Sequence, residues 1–254
     1  MTGLEARLRT RIDAGGSALV PYVTGGLPGV DAALLRELEE AGADAVEIGV
    51  PFSDPVMDGP VIQEASQRAL ADGATPESVL TMIEGAGIAA PVVMTYYNPV
   101  LAIGEDAFVA SAVRAGLAGV IVPDLPVDEG GAWRTRALAA GVAPVFLAAP
   151  GTDEARLKLV ADASEGFVYC VSTYGVTGAR GTLEGTARAV VEALRPMTGK
   201  PLLVGVGIST PDQAKRAAEF ADGVVVGSAI VQHLLDDDRT AAVRLVEQLR
   251  SALS

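Results

Sequence analysis

Residues 44–50 read Asp-Ala-Val-Glu-Ile-Gly-Val, an apolar run with one carboxylate, Glu47, near its middle. Beyond the turn-forming stretch Pro51 to Pro55 a second acid follows, Asp58, in Asp58-Gly59-Pro60. A buried strand tolerates an unpaired carboxylate poorly, because taking the ionised form out of water costs several kcal/mol or raises its pKa. Glu47 is therefore either paired or functional, and a second acid hangs on the loop beside it. The chemistry open to such a pair is general acid–base catalysis, carried by groups whose pKa burial can tune.

The residues that are scarce narrow the chemistry further. The three lysines are Lys158, Lys200 and Lys215. Two fall in helical stretches and Lys200 precedes a strand at the rim away from the expected site, so Schiff-base chemistry is not expected. His233 is the only histidine and Cys170 the only cysteine, which argues against a zinc or iron site and leaves no internal disulfide. The lone cysteine points to a reducing compartment, and we expect a cytoplasmic protein. A formal net charge of −13 argues against nucleic acid or an anionic membrane as partner. It leaves room for a small phosphate, because backbone N–H groups bind phosphate without lysine.

These residues need a frame. Apolar, β-rich runs recur at 18–23, 44–50, 91–97, 118–122, 143–148, 166–171, 201–206 and 222–226, bounded by Gly or Pro. Amphipathic stretches alternate with them, for example 31–41, 104–115, 128–140, 152–163 and 210–220. Strict alternation with doubly buried strands predicts a parallel sheet. Eight units in 254 residues predict an α/β fold, a closed (β/α)8 TIM barrel. We expect one barrel domain over residues 1–254, opened by an amphipathic N-terminal helix. The open doubly wound alternative fits less well, since Thr24-Gly25-Gly26-Leu27-Pro28-Gly29 is not a dinucleotide-binding turn. Long loops follow strands two and six, over 51–90 (with an extra helix at 76–88) and over 172–200. Such excess falls on the C-terminal rim, where barrel active sites are built. Residues 51–59 and 173–187 are expected to move and to cover the site.

Two adjacent turns carry the marks of a phosphate site. The seventh strand ends Val204-Gly205-Val206-Gly207-Ile208-Ser209 and the eighth Val226-Gly227-Ser228-Ala229, each running into a helix. Glycine lets backbone N–H groups close on an anion and a helix N-terminus adds a favourable dipole. Gly175-Val176-Thr177-Gly178 is a third contributor.

The run from Glu47 to Gln63, Glu-Ile-Gly-Val-Pro-Phe-Ser-Asp-Pro-Val-Met-Asp-Gly-Pro-Val-Ile-Gln, strongly resembles the signature of the tryptophan synthase alpha subunit family. The likeness extends through Pro21 to Gly26, Met94 to Pro99, Pro123 to Pro126, Tyr169 to Gly178 and both phosphate turns. It implies cleavage of indole-3-glycerol phosphate to indole and glyceraldehyde 3-phosphate. Residue by residue, it implies that Glu47 is the acid–base catalyst, that Asp58 holds the indole N–H and that Tyr169 lies near the glutamate. Thr177 would pack over the site; Gly178, Gly207, Gly227 and Ser228 would bind phosphate; Tyr22, Met94, Tyr96, Ile121 and Val206 would wall the indole pocket. Position 22 is tyrosine where the family commonly has phenylalanine, position 94 methionine where leucine is frequent, and position 206 valine where phenylalanine is frequent. The resemblance further implies no cofactor and no metal in this chain, and a beta subunit carrying pyridoxal phosphate in an αββα heterotetramer, with Asp54 communicating with that partner. On the residues alone Asp54 is equally an ordinary turn aspartate. A standalone indole-releasing lyase and a catalytically idle regulatory subunit are the alternatives, and intact Glu47 and Asp58 argue against the second.

Overall fold

The structure, a computed structural model, describes residues 2–172, 183–205 and 207–254. Nine strand segments lie among them: β1 Ala18–Thr24, β2 Val46–Gly49, β3 Pro91–Met94, β4 Gly119–Ile121, β5 Ala143–Val145, β6 Leu147–Ala148, β7 Val168–Val171, β8 Leu202–Gly205 and β9 Gly223–Val226. They pair in the order β5-β4-β3-β2-β1-β9-β8-β7-β6, every pair parallel. This is the expected (β/α)8 barrel with one refinement: the fifth run, 143–148, is two segments. Its first half pairs with β4 and its second with β7, so this one strand lies at both ends of the sheet order. The break falls at Phe146, whose N–H donates to the buried Ser164 hydroxyl instead of a neighbouring strand (3.2 Å), while its ring packs against Gly130.

Helices alternate with the strands, including Ala32–Glu40, Glu105–Arg114, Gly131–Ala139, Glu154–Ala163 and Pro211–Ala218, close to the amphipathic stretches. The long connection after β2 holds two helices, Pro60–Ala71 and Pro76–Ala86. Each starts on proline, whose fixed φ and missing N–H suit a first helical turn. A short helix, Tyr97–Ile103, is not foreshadowed by the apolar pattern. It lacks a local cap, and the Asp124 carboxylate from the loop after β4 accepts its first N–H at 2.9 Å.

Side chains from β1 alternate between two cores. Leu19 and Val23 face the helices, whereas Ala18 and Val20 fill the barrel interior with Val92, Val145, Leu203 and Val225. Every residue of β1 is buried, which is why its alternation is invisible in the sequence. The N-terminal helix, Gly3–Asp13, closes the lower end of this inner core with Leu4 and Leu8, both fully buried. Leu4 seats against Gly119 and Gly166, where a Cβ would come within 2.9 and 2.7 Å of its methyl.

Asp44, just before β2, ties these parts together. Its carboxylate accepts from the Leu19 N–H (2.9 Å), Arg11 Nε (3.1 Å) and Arg250 Nη1 (3.0 Å), and its carbonyl accepts from Arg7 Nε (2.5 Å). Arg250, on the C-terminal helix Arg239–Ala252, also donates to the Ser17 and Leu253 carbonyls. Removing one partner of a buried charge cluster leaves the other uncompensated. Asp44→Ala is expected to lower the unfolding free energy in a urea titration by about 3 kcal/mol; a loss below about 1 kcal/mol would mean that the arginines simply return to water.

Candidate active site

At the C-terminal ends of the strands the inner core gives way to a cavity of about 310 Å³. Its wall takes Tyr22 from β1, Glu47 from β2, Met94 from β3, Ile121 from β4, Leu147 from β6, and Tyr169 and Val171 from β7. Met57, Asp58, Gly59 and Ile62 close one side, and Gly205, Gly207, Ile208, Val225, Gly227 and Ser228 the other. The register delivers these groups to one level, with Tyr22 opposite Glu47, Met94 opposite Ile121, and Leu147 opposite Tyr169.

Glu47 is 1% exposed and its Oε2 has no hydrogen-bond partner. Burial, with the nearby Asp58 charge added, pushes its carboxyl up from 4.5 to about 8. Glu47 therefore holds a proton at neutral pH. Asp58 is only half-buried; burial raises it to about 6, while a hydrogen bond from Tyr96 acts in the opposite direction. It is thus mainly ionised at neutral pH. Two carboxyls in one cavity are set to opposite protonation states by unequal desolvation.

The loop carrying Asp58 is tied at several points. Tyr96 donates its hydroxyl to Asp58 Oδ2 (3.2 Å) and accepts the Met57 N–H (2.9 Å), and its ring stacks on Phe52 with centroids 5.0 Å apart. Gln63, one turn into the following helix, donates to the Asp58 carbonyl at 2.9 Å. Tyr96 thus stands behind Asp58 and holds it, and does not itself line the cavity. Asp54 also lies off the cavity: it is exposed, accepts from the Ser53 hydroxyl (2.6 Å), and its carbonyl accepts the Val56 N–H (2.8 Å).

Two tyrosine rings fit only because glycine faces them. A methyl at position 49 would overlap the Tyr22 hydroxyl, and one at position 205 would lie 2.6 Å from the Tyr169 hydroxyl. Burial raises both phenols well above their usual range; Asp58 is the leading charge acting on Tyr22, and Glu47 on Tyr169.

Across the cavity, Gly207 adopts φ +67 and Gly227 caps the helix Ser228–Leu235. The first N–H groups of that helix have no acceptor within it, and they meet the cavity at Ser228. Among the described residues the wall carries no lysine, arginine or histidine. A ligand entering this side of the cavity meets peptide N–H groups and a helix dipole, which favour an anion.

Of the residues expected to act, Tyr22, Glu47, Asp58, Met94, Ile121, Tyr169, Gly207, Gly227 and Ser228 border this one cavity. Thr177, Gly178 and Val206 lie outside the described residues, as does most of 173–187. Ile62, Leu147, Ser172 and Ile208 also line the wall, and sequence reasoning misses them because nothing in their local pattern separates a cavity wall from a core.

Glu47 binds its proton more tightly folded than unfolded, so the folded chain holds the extra proton between about pH 4.5 and 8. That linkage stabilises the fold at low pH and is lost as the pH rises through 8. Relative to Glu47→Gln, the wild-type chain should lose a few kcal/mol of unfolding free energy across this window, since each tenfold difference in proton affinity is worth about 1.4 kcal/mol. A difference between the two proteins that stays constant with pH would contradict a buried, protonated Glu47.

Known proteins share both this sequence and this architecture. The family model described as tryptophan synthase alpha chain matches residues 8–253. The tryptophan synthase alpha chain of Thermobifida fusca is 44% identical over 93% of this chain and 90% of its own length. That of a Picosynechococcus strain is 40% identical over 100% and 98%. Among solved structures, Mycobacterium tuberculosis tryptophan synthase superposes with TM-score 0.91 at 38% identity, covering 98% of this chain and 97% of the other. Tryptophan synthase subunit alpha from Legionella pneumophila gives TM-score 0.90 at 32% identity, covering 100% and 98%.

Proposed function

The chain belongs to the tryptophan synthase alpha chain family, and on that premise we propose how its cavity works. The family reaction is a lyase step, cleavage of indole-3-glycerol phosphate to indole and glyceraldehyde 3-phosphate. In our reading the protonated Glu47 gives its proton to indole C3, and the ring nitrogen becomes cationic. The ionised Asp58 accepts the indole N–H and stabilises that charge as it develops, when a carboxylate helps most. Glu47, now a carboxylate, takes the proton from the hydroxyl on the side-chain carbon bonded to the ring. The carbon–carbon bond breaks, its electron pair neutralises the ring, and the carbon becomes the aldehyde. One proton leaves Glu47 and one returns, so the balance closes without a metal or an electron sink.

The remaining residues take positions in this reading. Met94 and Ile121 wall the indole ring; Val206 would join them. Gly207, Gly227 and Ser228 hold the phosphate through N–H groups, with Gly178 as a further ligand and Thr177 packing over the site. Tyr169 stands beside Glu47, and Tyr96 acts through Asp58. The single observation that carries the reading is a buried, unpaired carboxyl in the same cavity as a half-solvated one and a glycine-capped helix N-terminus.

We assign the pyridoxal phosphate of the complete enzyme to a beta chain, with two copies of each chain in an αββα assembly. Asp54 and the 71% exposed Val56, on the loop that carries Asp58, support contact with that partner. No described helix is long and apolar enough to cross a membrane, and we place the protein in the cytoplasm. The whole chain is read as one barrel domain.

With these roles, Glu47→Gln should still bind substrate but lower indole formation by about a thousandfold, within the range for a lost acid–base group; a tenth of the wild-type rate would contradict the assignment. Asp58→Asn should retain little activity, because its charge and not only its shape is needed. Adding a beta chain should raise indole release several-fold in a turnover assay, and an unchanged rate would favour a lyase that acts alone.

A further inference from the structure

Three buried side-chain polar atoms among the described residues lack a hydrogen-bond partner: Thr24 Oγ1, Glu47 Oε2 and Arg250 Nε. The last belongs to the Asp44 cluster at the closed end of the barrel. The first two flank one side chain, Tyr22. Tyr22 is the register partner of Glu47 on the adjacent strand, and both line the cavity. Thr24 is the next residue of β1 on the same face, opposite Gly49. The Tyr22 hydroxyl lies directly over Gly49, and its ring is flanked on the other side by Gly227 of the phosphate turn, from which a Cβ would be 3.5 Å away. The ring therefore runs from the glycine turn at Gly227 to the position of Gly49, and the two unpartnered groups, Thr24 Oγ1 and Glu47 Oε2, belong to the residues next to it on its own strand face and on the adjacent strand.

A buried polar atom left unpaired costs about 1–3 kcal/mol. Two such atoms on the residues that neighbour one hydroxyl share a solution, because a hydroxyl can both accept and donate. We propose that Tyr22 is a positioning residue for Glu47: when Glu47 gives up its proton, Thr24 donates to the Tyr22 oxygen and Tyr22 donates to Glu47 Oε2. The charge that appears on Glu47 is then met by a hydroxyl backed by a second hydroxyl, in a cavity with no cation among its described wall residues. Hydrogen bonds to an ionised acceptor are roughly twice as strong as neutral ones, so the relay favours the charged form over the resting one. The resting structure agrees in electrostatic sense. Burial raises the Tyr22 phenol most and the Asp58 charge next, while Thr24 lies near enough to lower it by hydrogen bonding, although no bond of full geometry joins the two hydroxyls at rest. The titratable groups facing Glu47 are Tyr22 from β1, Asp58 from the loop after β2 and Tyr169 from β7. Tyr96 bonds Asp58.

This inference rests on the acid–base role of Glu47 given above, and its test separates the two. Indole release from indole-3-glycerol phosphate is measured for the chain assembled with its beta chain, as kcat and KM across the pH range that brackets both acids. Wild type is compared with Tyr22→Phe, Thr24→Val, the double variant and Glu47→Gln. Tyr22→Phe keeps the ring and removes only the hydroxyl; it should lower kcat about tenfold with KM nearly constant, the size of one lost charge-assisted bond. The donor stabilises ionised Glu47, so its loss should move the upper limb of the kcat profile to higher pH. Thr24→Val should move the same limb the same way by less, and should add nothing in the Tyr22→Phe background. An unmoved upper limb in Tyr22→Phe, a loss expressed in KM alone, or a Thr24→Val effect that adds in full to Tyr22→Phe would overturn the relay. Wild-type activity in Glu47→Gln would instead overturn the acid–base role itself.

Discussion

The cavity depends on one carboxyl group buried without an ion pair among the described residues. Glu47 has apolar core below it, two tyrosines beside it and no cation among the described wall residues. Water is the usual stabiliser of a carboxylate, and at 1% exposure Glu47 is nearly cut off from it, so its carboxyl is pushed up to about 8. A lysine or arginine at the same level would pull the proton off and end its use as an acid. The lack of a cation among the described wall residues is thus a condition of the proposed chemistry.

That condition raises a second problem, since the substrate is an anion and the chain carries a net charge of −13. In the proposed reading the barrel answers it with backbone. The Ser228–Leu235 helix points its N-terminus at the cavity, and glycines at 207 and 227 open the approach to peptide N–H groups. Fixed dipoles attract phosphate at short range while adding no titratable cation near Glu47. At physiological salt the distant surface acids are screened over about 8 Å, so local N–H geometry outweighs net charge.

Much of this is legible in the sequence, and the exceptions have physical reasons. An acid inside a β-rich run marks Glu47, and two glycine turns entering helices mark the glycine-lined side of the cavity. Strand count comes through because parallel strands buried on both faces read as unbroken apolar runs. The same property hides inside from outside: all of Ala18–Thr24 is buried, so only the register shows that Tyr22 faces the cavity and Val23 the helices. The split of 143–148 at Phe146 is invisible because its cause is Ser164, eighteen residues on. The Tyr97–Ile103 helix is hidden for a like reason, being capped by Asp124 from another loop. Tyr96, expected on the indole wall, instead holds Asp58 from behind, a distinction that depends on where a loop folds back.

The proposed chemistry requires Glu47 to be an uncharged acid when substrate arrives. Site-specific carbon-13 labelling of the Glu47 carboxyl, titrated by NMR against the Glu47→Gln protein to assign the signal, measures this directly. A midpoint near 8 is expected, far above the ordinary 4.5. A midpoint in the ordinary carboxylate range would show Glu47 already ionised at neutral pH, and the proton transfer to carbon would have to begin elsewhere.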